Sequence, residues 1–494
     1  MKNLKYIVFT ILIIGSLSSC EDFLDQPPRG ELVVGTFPVS ESDALLATNA
    51  CYNSLRAWHI NTGGFPLLDI MADDTEKGSN PGDGTAIAPY DNFSHLPTEG
   101  SVERWYKTLY ESIRRTNLVI IEVPTIDMDQ DLANRYIAEA RFLRAYYYGL
   151  LVRGFGDVPM VTEINPSLEL GRTPVQQILD EIIYPDLENA IAVLPERSGY
   201  ESDDLGRITK GAARGLLARI KLFYGEFTDV EALTQDIIDS DEYALVENFG
   251  EVFPEVNEFN EESVFEVGAV AQNFALGGNQ YANTQGVRGT PNRGWGFARP
   301  SYTGLIQEYL ANNDPRMEPS VLFVNETIDG ILITGDSSTP DTTGSGSNIE
   351  AIECYNQKVW TPGTTPMESW AHNRRIIRYA DILLMHAEAL NENGKSQEAL
   401  TYLNQVRARA RGNNPDVLPD VTATSKDAIR DAIIQERKYE FALEGLRFWD
   451  LVRTGKAAEV LGPLGFIENK NELFPIPQSE VDISQGRITQ NEGY

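Results

Sequence analysis

Apolar positions recur at three- and four-residue spacing over long stretches of this chain, and polar, glycine-rich runs separate the stretches. The spacing predicts helices over Trp105 to Val123 and over Leu132 to Arg153, where Phe142, Leu143, Tyr146, Tyr147 and Leu150 fall on one face. Gly154-Phe155-Gly156-Asp157-Val158-Pro159 ends the second of these. Further helices are predicted over Val175 to Val193, Thr209 to Tyr224 and Asp229 to Asp239, and again from Ile376, Gln397 and Lys426. An earlier helix opens at Ser40, where Ser-x-x-Asp with Asp43 makes a capping box ahead of Ala44-Leu45-Leu46. Two regions lack the helical period. Residues 61–100 are rich in Gly, Pro, Asn and Asp, and residues 242–370 read as loops with short strand-like runs such as Ser263-Val264-Phe265-Glu266-Val267. Asp336 to Ser347, nearly all Gly, Ser, Thr and Asp, reads as an exposed, mobile loop.

One helix pair has a repeat pattern. With Gly394 as the turn, Leu383, Ala387, Leu390, Ala399, Leu403 and Val406 fall where a tetratricopeptide repeat places its small and large packing residues. No proline closes the unit, and Thr209 to Asp239 echoes it more loosely. The expected fold is mainly α, a stack of helix pairs beside an irregular part.

The N-terminus changes the picture of where the chain resides. Lys2 and Lys5 precede an apolar run from Tyr6 to Leu17, the order of a signal peptide, here assigned to residues 1–19. As a helix that run spans about 18 Å, too short for a bilayer core of about 30 Å. Leu17-Ser18-Ser19-Cys20 resembles a bacterial lipobox, in which Cys20 carries the lipid and becomes the new N-terminus. The plainer alternative is an ordinary secretory signal with Cys20 incidental. Residues 20–30 form the lipidated end and a tether, with Gln26-Pro27-Pro28-Arg29-Gly30 in it. The formal charge of the 494 residues is −32, and loss of the two leader lysines takes it to −34. So acidic a body repels nucleic-acid backbones and anionic membrane surfaces. Cys51 and Cys354 read as buried free thiols or as one pair, not as a disulfide framework. The four histidines are too scattered to suggest a histidine metal site.

Catalytic motifs are missing: there is no Gly-x-Ser-x-Gly elbow, P-loop, dinucleotide fingerprint or His-Glu-x-x-His. Glu436 to Leu451 interleaves charges with aromatics. Glu440 and Glu444 are placed on one helix face, Arg447 and Asp450 lie three apart, and the expected role is ion pairing that locks a helix in place. Asp73, Asp74 and Asp83 offer the oxygen ligands Ca²⁺ takes, but without EF-hand spacing, and solvated loop acids are the plainer reading. Aromatic rings in polar loops, namely Trp58 (beside His59), Tyr90, Phe93 and Trp295, suit the apolar C–H patches of carbohydrate. The Trp295 segment, Gly289-Thr290-Pro291-Asn292-Arg293-Gly294-Trp295-Gly296, adds amide and guanidinium groups. Trp58, Tyr90 and Trp295 are the candidate ligand-binding residues, against the plainer reading of each as a core ring or loop anchor.

Several segments together resemble the SusD/RagB family: Cys20-Glu21-Asp22-Phe23-Leu24-Asp25; Glu139-Ala140-Arg141-Phe142-Leu143-Arg144-Ala145 running to Gly156-Asp157-Val158-Pro159; and Arg378-Tyr379-Ala380-Asp381-Ile382-Leu383-Leu384 with Ala387-Glu388-Ala389. Glu436 to Gly455, Leu473-Phe474-Pro475-Ile476-Pro477 and Gln490-Asn491-Glu492-Gly493-Tyr494 complete the likeness; Glu492 stands where the family usually has proline. The resemblance implies a SusD-like fold with about four tetratricopeptide-like helix pairs packed against a loop-rich part. Residues 31–240 would be its N-terminal part and 241–494 its C-terminal part, loop-rich over 241–370 and helical over 371–460. It also implies a non-enzymatic, lipid-anchored protein on the outer membrane that binds a nutrient, mainly glycan, as the lid of a SusC-like TonB-dependent importer, with no cofactor. No family binding motif maps onto particular residues here. The alternatives are a surface glycoside hydrolase using a carboxylate pair, or the same lid serving peptide import.

Overall fold

The computed structural model describes residues 37–61, 65–167, 169–272, 277–336, 353–362 and 368–494. Cys20, the leader, the tether and the loop from residue 337 to 347 lie outside the described residues. Helix α1 (Glu41–Leu55) begins as predicted: Ser40 Oγ accepts from the Asp43 N–H at 3.2 Å, and the Asp43 carboxylate accepts from the Ser40 N–H at 3.1 Å. The main helices that follow are α2 (Gly100–Glu122), α3 (Gln130–Phe155), α4 (Tyr184–Val193), α5 (Lys210–Phe223), α6 (Phe227–Ile238), α7 (Tyr379–Glu392), α8 (Ser396–Arg411) and α9 (Lys426–Glu440). From α2 to α9 each packs on the next, the equivalent of four helix pairs. Helix α3 lies deepest. Its residues from Ala138 to Phe155 are buried almost without a break, as expected of a helix surrounded on every side. The repeat positions Leu383, Ala387, Leu390, Ala399, Leu403 and Val406 are all buried between α7 and its neighbours. One hydrophobic cluster runs from Ala44 to Ile488.

The predicted helix over 175–193 is bent by its own sequence. A wider π-helical turn, Leu179–Ile183, precedes Pro185, which has no N–H to give and crowds the turn before it. The glycine-rich stretch 61–100 is not a plain loop either. It holds a short helix (Phe65–Ile70), strand β1 (Thr75–Gly78) and a helical turn (Ala88–Asp91), each too short to leave a period in the sequence.

Helices α6 and α7 are separated in sequence by the loop-rich part yet pack directly together. The chain leaves the stack through β2 (Ser263–Val267) and returns through β8 (Arg374–Arg378), which pair antiparallel with every residue of both strands buried. Ile376 and Ile377 therefore belong to a strand, and α7 starts only at Tyr379. Between these strands lie β3 (Phe297–Pro300), β4 (Val321–Phe323), β5 (Thr327–Ile328), β6 (Ile331–Leu332) and β7 (Cys354–Asn356). The β5–β6 hairpin turns on Asp329-Gly330, both at positive φ, the conformation that favours Asp-Gly in a two-residue turn. Strand β1 pairs with β3, Thr75 opposite Pro300 and Gly78 opposite Phe297, so the insert is stitched to the N-terminal segment. Cys51 and Cys354 are both buried and free, and burial pushes each thiol up to about 12.

The Glu436 to Leu451 segment is the ionic lock its charges suggested, with different partners. Helix α9 stops at Glu440, Leu443 takes a positive φ, and helix α10 (Arg447–Arg453) follows, so Glu440 and Glu444 do not share a helix face. They meet instead at Arg378. Its Nη1 pairs with Glu440 at 2.9 Å and with Glu262, and its Nη2 reaches Glu444 at 2.9 Å. Arg409 joins Glu262 to Glu440, Arg316 joins Asp314, Glu436 and Glu440, and Lys358 closes on Glu444 at 2.7 Å. Arg447 pairs with Asp73 at 2.7 Å, not with Asp450, which lies between Arg437 and Arg453 at 2.8 Å from each.

Asp69 is a buried acid of the opposite kind. Burial and the neighbouring Asp74 push its carboxyl up to about 8, although Arg374 and the Gly445 N–H favour the charged form. A carboxyl raised in the folded state binds its proton there and loses it in the unfolded chain, so it lowers stability as pH rises from about 4 towards 8. Asp69→Asn should therefore match the parent near pH 4 and exceed it by about 1–3 kcal/mol at pH 8. Parallel urea titrations at the two pH values test this, and a gain independent of pH would refute it.

Candidate functional site

Trp58 and Trp295, chosen from their local sequences alone, meet on the surface. Their ring centroids are 6.2 Å apart and the planes are perpendicular. The β1–β3 pairing brings their two segments together, and the helical turn Tyr281–Gln285 fixes both rings. Trp58 lies in the turn Trp58–Asn61, and its Nε1 points to Thr284 Oγ1 at 3.4 Å; that hydroxyl donates to Gln280 O at 2.7 Å. The Trp295 N–H donates to Asn283 O at 2.8 Å, and its flanking glycines donate to Val287 O and Gly286 O. A Cβ on Gly294 would collide with the Asn283 carbonyl, so only glycine allows the Trp295 loop to lie this close. Arg293 anchors the loop from behind, its Nε donating to Thr361 O at 3.1 Å and its guanidinium 5.7 Å from the Trp360 ring centre. The outcome is a Trp295 ring left 38% exposed, steadied by the half-buried Trp58. His59 packs against Trp58 with centroids 4.8 Å apart, and burial together with Arg104 lowers its pKa, so it is neutral at pH 7. An exposed ring with a rigid partner at right angles offers an apolar face for C–H contact without a net charge from these three side chains.

Tyr90 is not part of this surface. It is fully buried, stacked on His95 at 4.8 Å with Phe474 beside it, while His95 Nε2 lies 2.9 Å from the Tyr494 hydroxyl. Segments from the far C-terminal end close over it, which its own neighbourhood in sequence does not reveal. Phe93 is likewise buried, against Phe466. The acids considered for Ca²⁺ do not converge. Asp73 is held by Arg447 and by Lys438 at 2.9 Å, Asp83 by Arg288 at 2.9 Å, and Asp74 is buried, accepting from Thr75 Oγ1. Among the described residues no three His, Cys, Asp or Glu side chains group as metal ligands would. Trp370 escaped the sequence reading although it also sits in a polar loop; its carbonyl accepts from the Asn279 N–H, just ahead of the turn that carries Thr284. Thr284 itself carries no sequence signal of its role.

A groove of about 1150 Å³ lies elsewhere, between residues 245–251 and the end of α8, and is lined by Glu247, Glu251, Glu261 and Glu318. It contains no tryptophan; besides these acids it is lined by Arg409, Arg411 and Phe249, and the Phe249 ring is buried, which leaves little aromatic face for stacking.

Comparison with known proteins follows the same lines. Residues 261–494 match a model of the SusD family, and residues 73–222 match a model described as starch-binding associating with outer membrane. SusD-like protein P2 of Formosa agariphila is 28% identical, aligned over 99% of this chain and all of its own length. A SusD-like protein of Bacteroides ovatus is 25% identical over 92% of this chain and 82% of its own. Among solved structures, a laminarin-binding SusD-like protein superposes with a TM-score of 0.76 at 29% identity, covering 92% of this chain and all of the other. Surface glycan-binding protein A of Bacteroides thetaiotaomicron, in complex with laminarihexaose, gives 0.75 at 27% identity with the same coverage. With two such models matching in series and solved members superposing on nine-tenths of its length, the chain belongs to the SusD/RagB family.

Proposed function

We propose that this protein is a surface glycan-binding lipoprotein, anchored through Cys20, which serves without catalysis as the lid of a SusC-like TonB-dependent importer. The observation that carries the binding role is the Trp58–Trp295 pair, two rings from distant segments fixed at right angles with Trp295 facing solvent. Two superposing relatives are described by their β-glucan ligands, laminarin and laminarihexaose, which makes β-glucan the first class to test. The matched model's outer-membrane description supports the location.

A glycan array probed with the chain lacking residues 1–20, with laminarin included and eluted glycans weighed by mass spectrometry, tests the reading. Saturable binding of intact glycan is expected. Shortened products would turn the reading to a glycoside hydrolase, and binding of peptides alone would turn it to peptide import. Anchoring has its own test: Cys20→Ala should move the protein from the membrane to the soluble fraction and remove the acyl mass from its N-terminal peptide. Several acyl chains hold firmly because each buried CH₂ contributes about 0.8 kcal/mol. A variant that stays membrane-bound with no acyl mass defeats the lipobox assignment.

A further inference from the structure

The helix stack contains a second ionic network, and one of its cations has no counter-charge among the described residues. Asp381 joins Arg219 to Arg437, Asp450 joins Arg437 to Arg453, and Glu388 closes on Arg453. Three guanidinium groups there meet three carboxylates. Arg153, near the end of α3 and beside Arg219, is the fourth guanidinium. Its Nε donates to Gly149 O at 2.9 Å, and among the described residues no carboxylate lies within ion-pairing distance of it. The groups that face it are Arg219, the phenols of Tyr146 and Tyr224, and two rings, Trp449 at 5.3 Å and Phe223 at 6.0 Å. The side chain is 7% exposed, whereas Phe223 and Tyr224 are only half-buried, so the cation lies just beneath the surface.

The aromatic faces attract the cation but accept no N–H···O hydrogen bond of the strength a carboxylate offers. Nη1 and Nη2 make no hydrogen bond to the described residues, and Arg219 adds repulsion. Burial and Arg219 pull the Arg153 pKa down to about 10, which still leaves it charged at neutral pH. None of the acidic side chains among the described residues pairs with it. We propose that Arg153, with Phe223, Tyr224 and Trp449 around it, forms an anion site that takes a small oxyanion, a carboxylate or a sulfate, on its two free guanidinium nitrogens. The bidentate fork of a guanidinium matches those groups, and the bound charge would complete the network.

Crystals of the wild-type chain grown with selenate should give an anomalous peak within hydrogen-bonding reach of Arg153 Nη1 and Nη2; an empty site overturns the proposal. In solution, sulfate at tenfold its Kd should raise the wild-type Tm by about 1.5 °C relative to chloride at equal ionic strength. Arg153→Met should lose that increment. An equal increment in the variant, or a crystal peak with no increment in the wild type, means an adventitious ion only and overturns the site. If Arg153→Met does not fold, the selenate peak and the wild-type titration decide together. Parallel titrations with sulfate and glucuronate separate the sources: equal responses indicate a free oxyanion, and a much larger response to glucuronate than to sulfate indicates an acidic sugar.

Discussion

Arg378→Ala lowers the free energy of unfolding by about 3–5 kcal/mol, the usual result of removing one partner from a buried ionic cluster. Arg378 is among the largest fully buried side chains, and its loss removes the guanidinium that joins Glu262, Glu440 and Glu444 in the core. Arg409 still reaches Glu262 and Glu440, Arg316 still reaches Glu440 and Lys358 still reaches Glu444, but the three carboxylates are left with less positive charge than they were buried with. Arg378→Lys restores charge without the fork and should recover only part of the loss. The midpoint of urea unfolding, with the slope checked for constancy, is the measurement; an unchanged midpoint would remove the network from any account of stability. The pH dependence follows from the same geometry. Burial alone would raise the Glu440 carboxyl, but Arg409, Arg378 and Arg316 override it and hold the group well below the ordinary range. A depressed carboxyl contributes stability above its unfolded pKa of about 4.3 and loses it as pH falls further. Wild-type protein should accordingly weaken steeply below pH 4, and Arg378→Ala less steeply, because less stabilisation is left to titrate away.

Trp295→Ala weakens binding of the glycan identified on the array by about 2 kcal/mol, roughly thirtyfold in Kd, with little change in Tm. The small stability effect follows from the exposure of Trp295, and the large binding effect from the role proposed for its exposed face. Trp58→Ala should cost similar affinity by a different route, since the half-buried Trp58 holds the more exposed Trp295 at right angles. Because both changes disable one unit, the double variant should lose little more than either single one. Isothermal titration of the three variants would settle the point; strictly additive losses would mean two separate subsites, and no loss in any would dismiss the surface.

The helical stack was legible because long amphipathic runs repeat their signal many times: α7 and α8 could be placed from Ala387, Leu390, Ala399, Leu403 and Val406 alone. Short elements repeat too few residues to do so. Arg374 to Arg378 merges in sequence with the helix after it, and only its partner Ser263–Val267 identifies it as a strand. The ionic lock was visible as charge spacing, but its partners Arg316, Arg378 and Arg409 come from three other segments, and long-range partners leave no local trace. The candidate site divides in the same way. Ring type and loop context marked Trp58, Tyr90 and Trp295 equally, and tertiary packing then paired two of them and enclosed the third.

The β2–β8 ribbon has an evolutionary consequence. Since the chain exits and re-enters the stack at two hydrogen-bonded, fully buried strands, closure of the inserted region is already secured at its root. Lengthening or replacing a loop beyond that root then costs only a slowly rising, logarithmic entropy, about 0.6 kcal/mol for each doubling. Loops of the insert away from β3, Arg316 and Lys358 are in this sense exchangeable: they can vary in length while the same helical frame is kept, and grafting such a loop is a rational route to altered specificity.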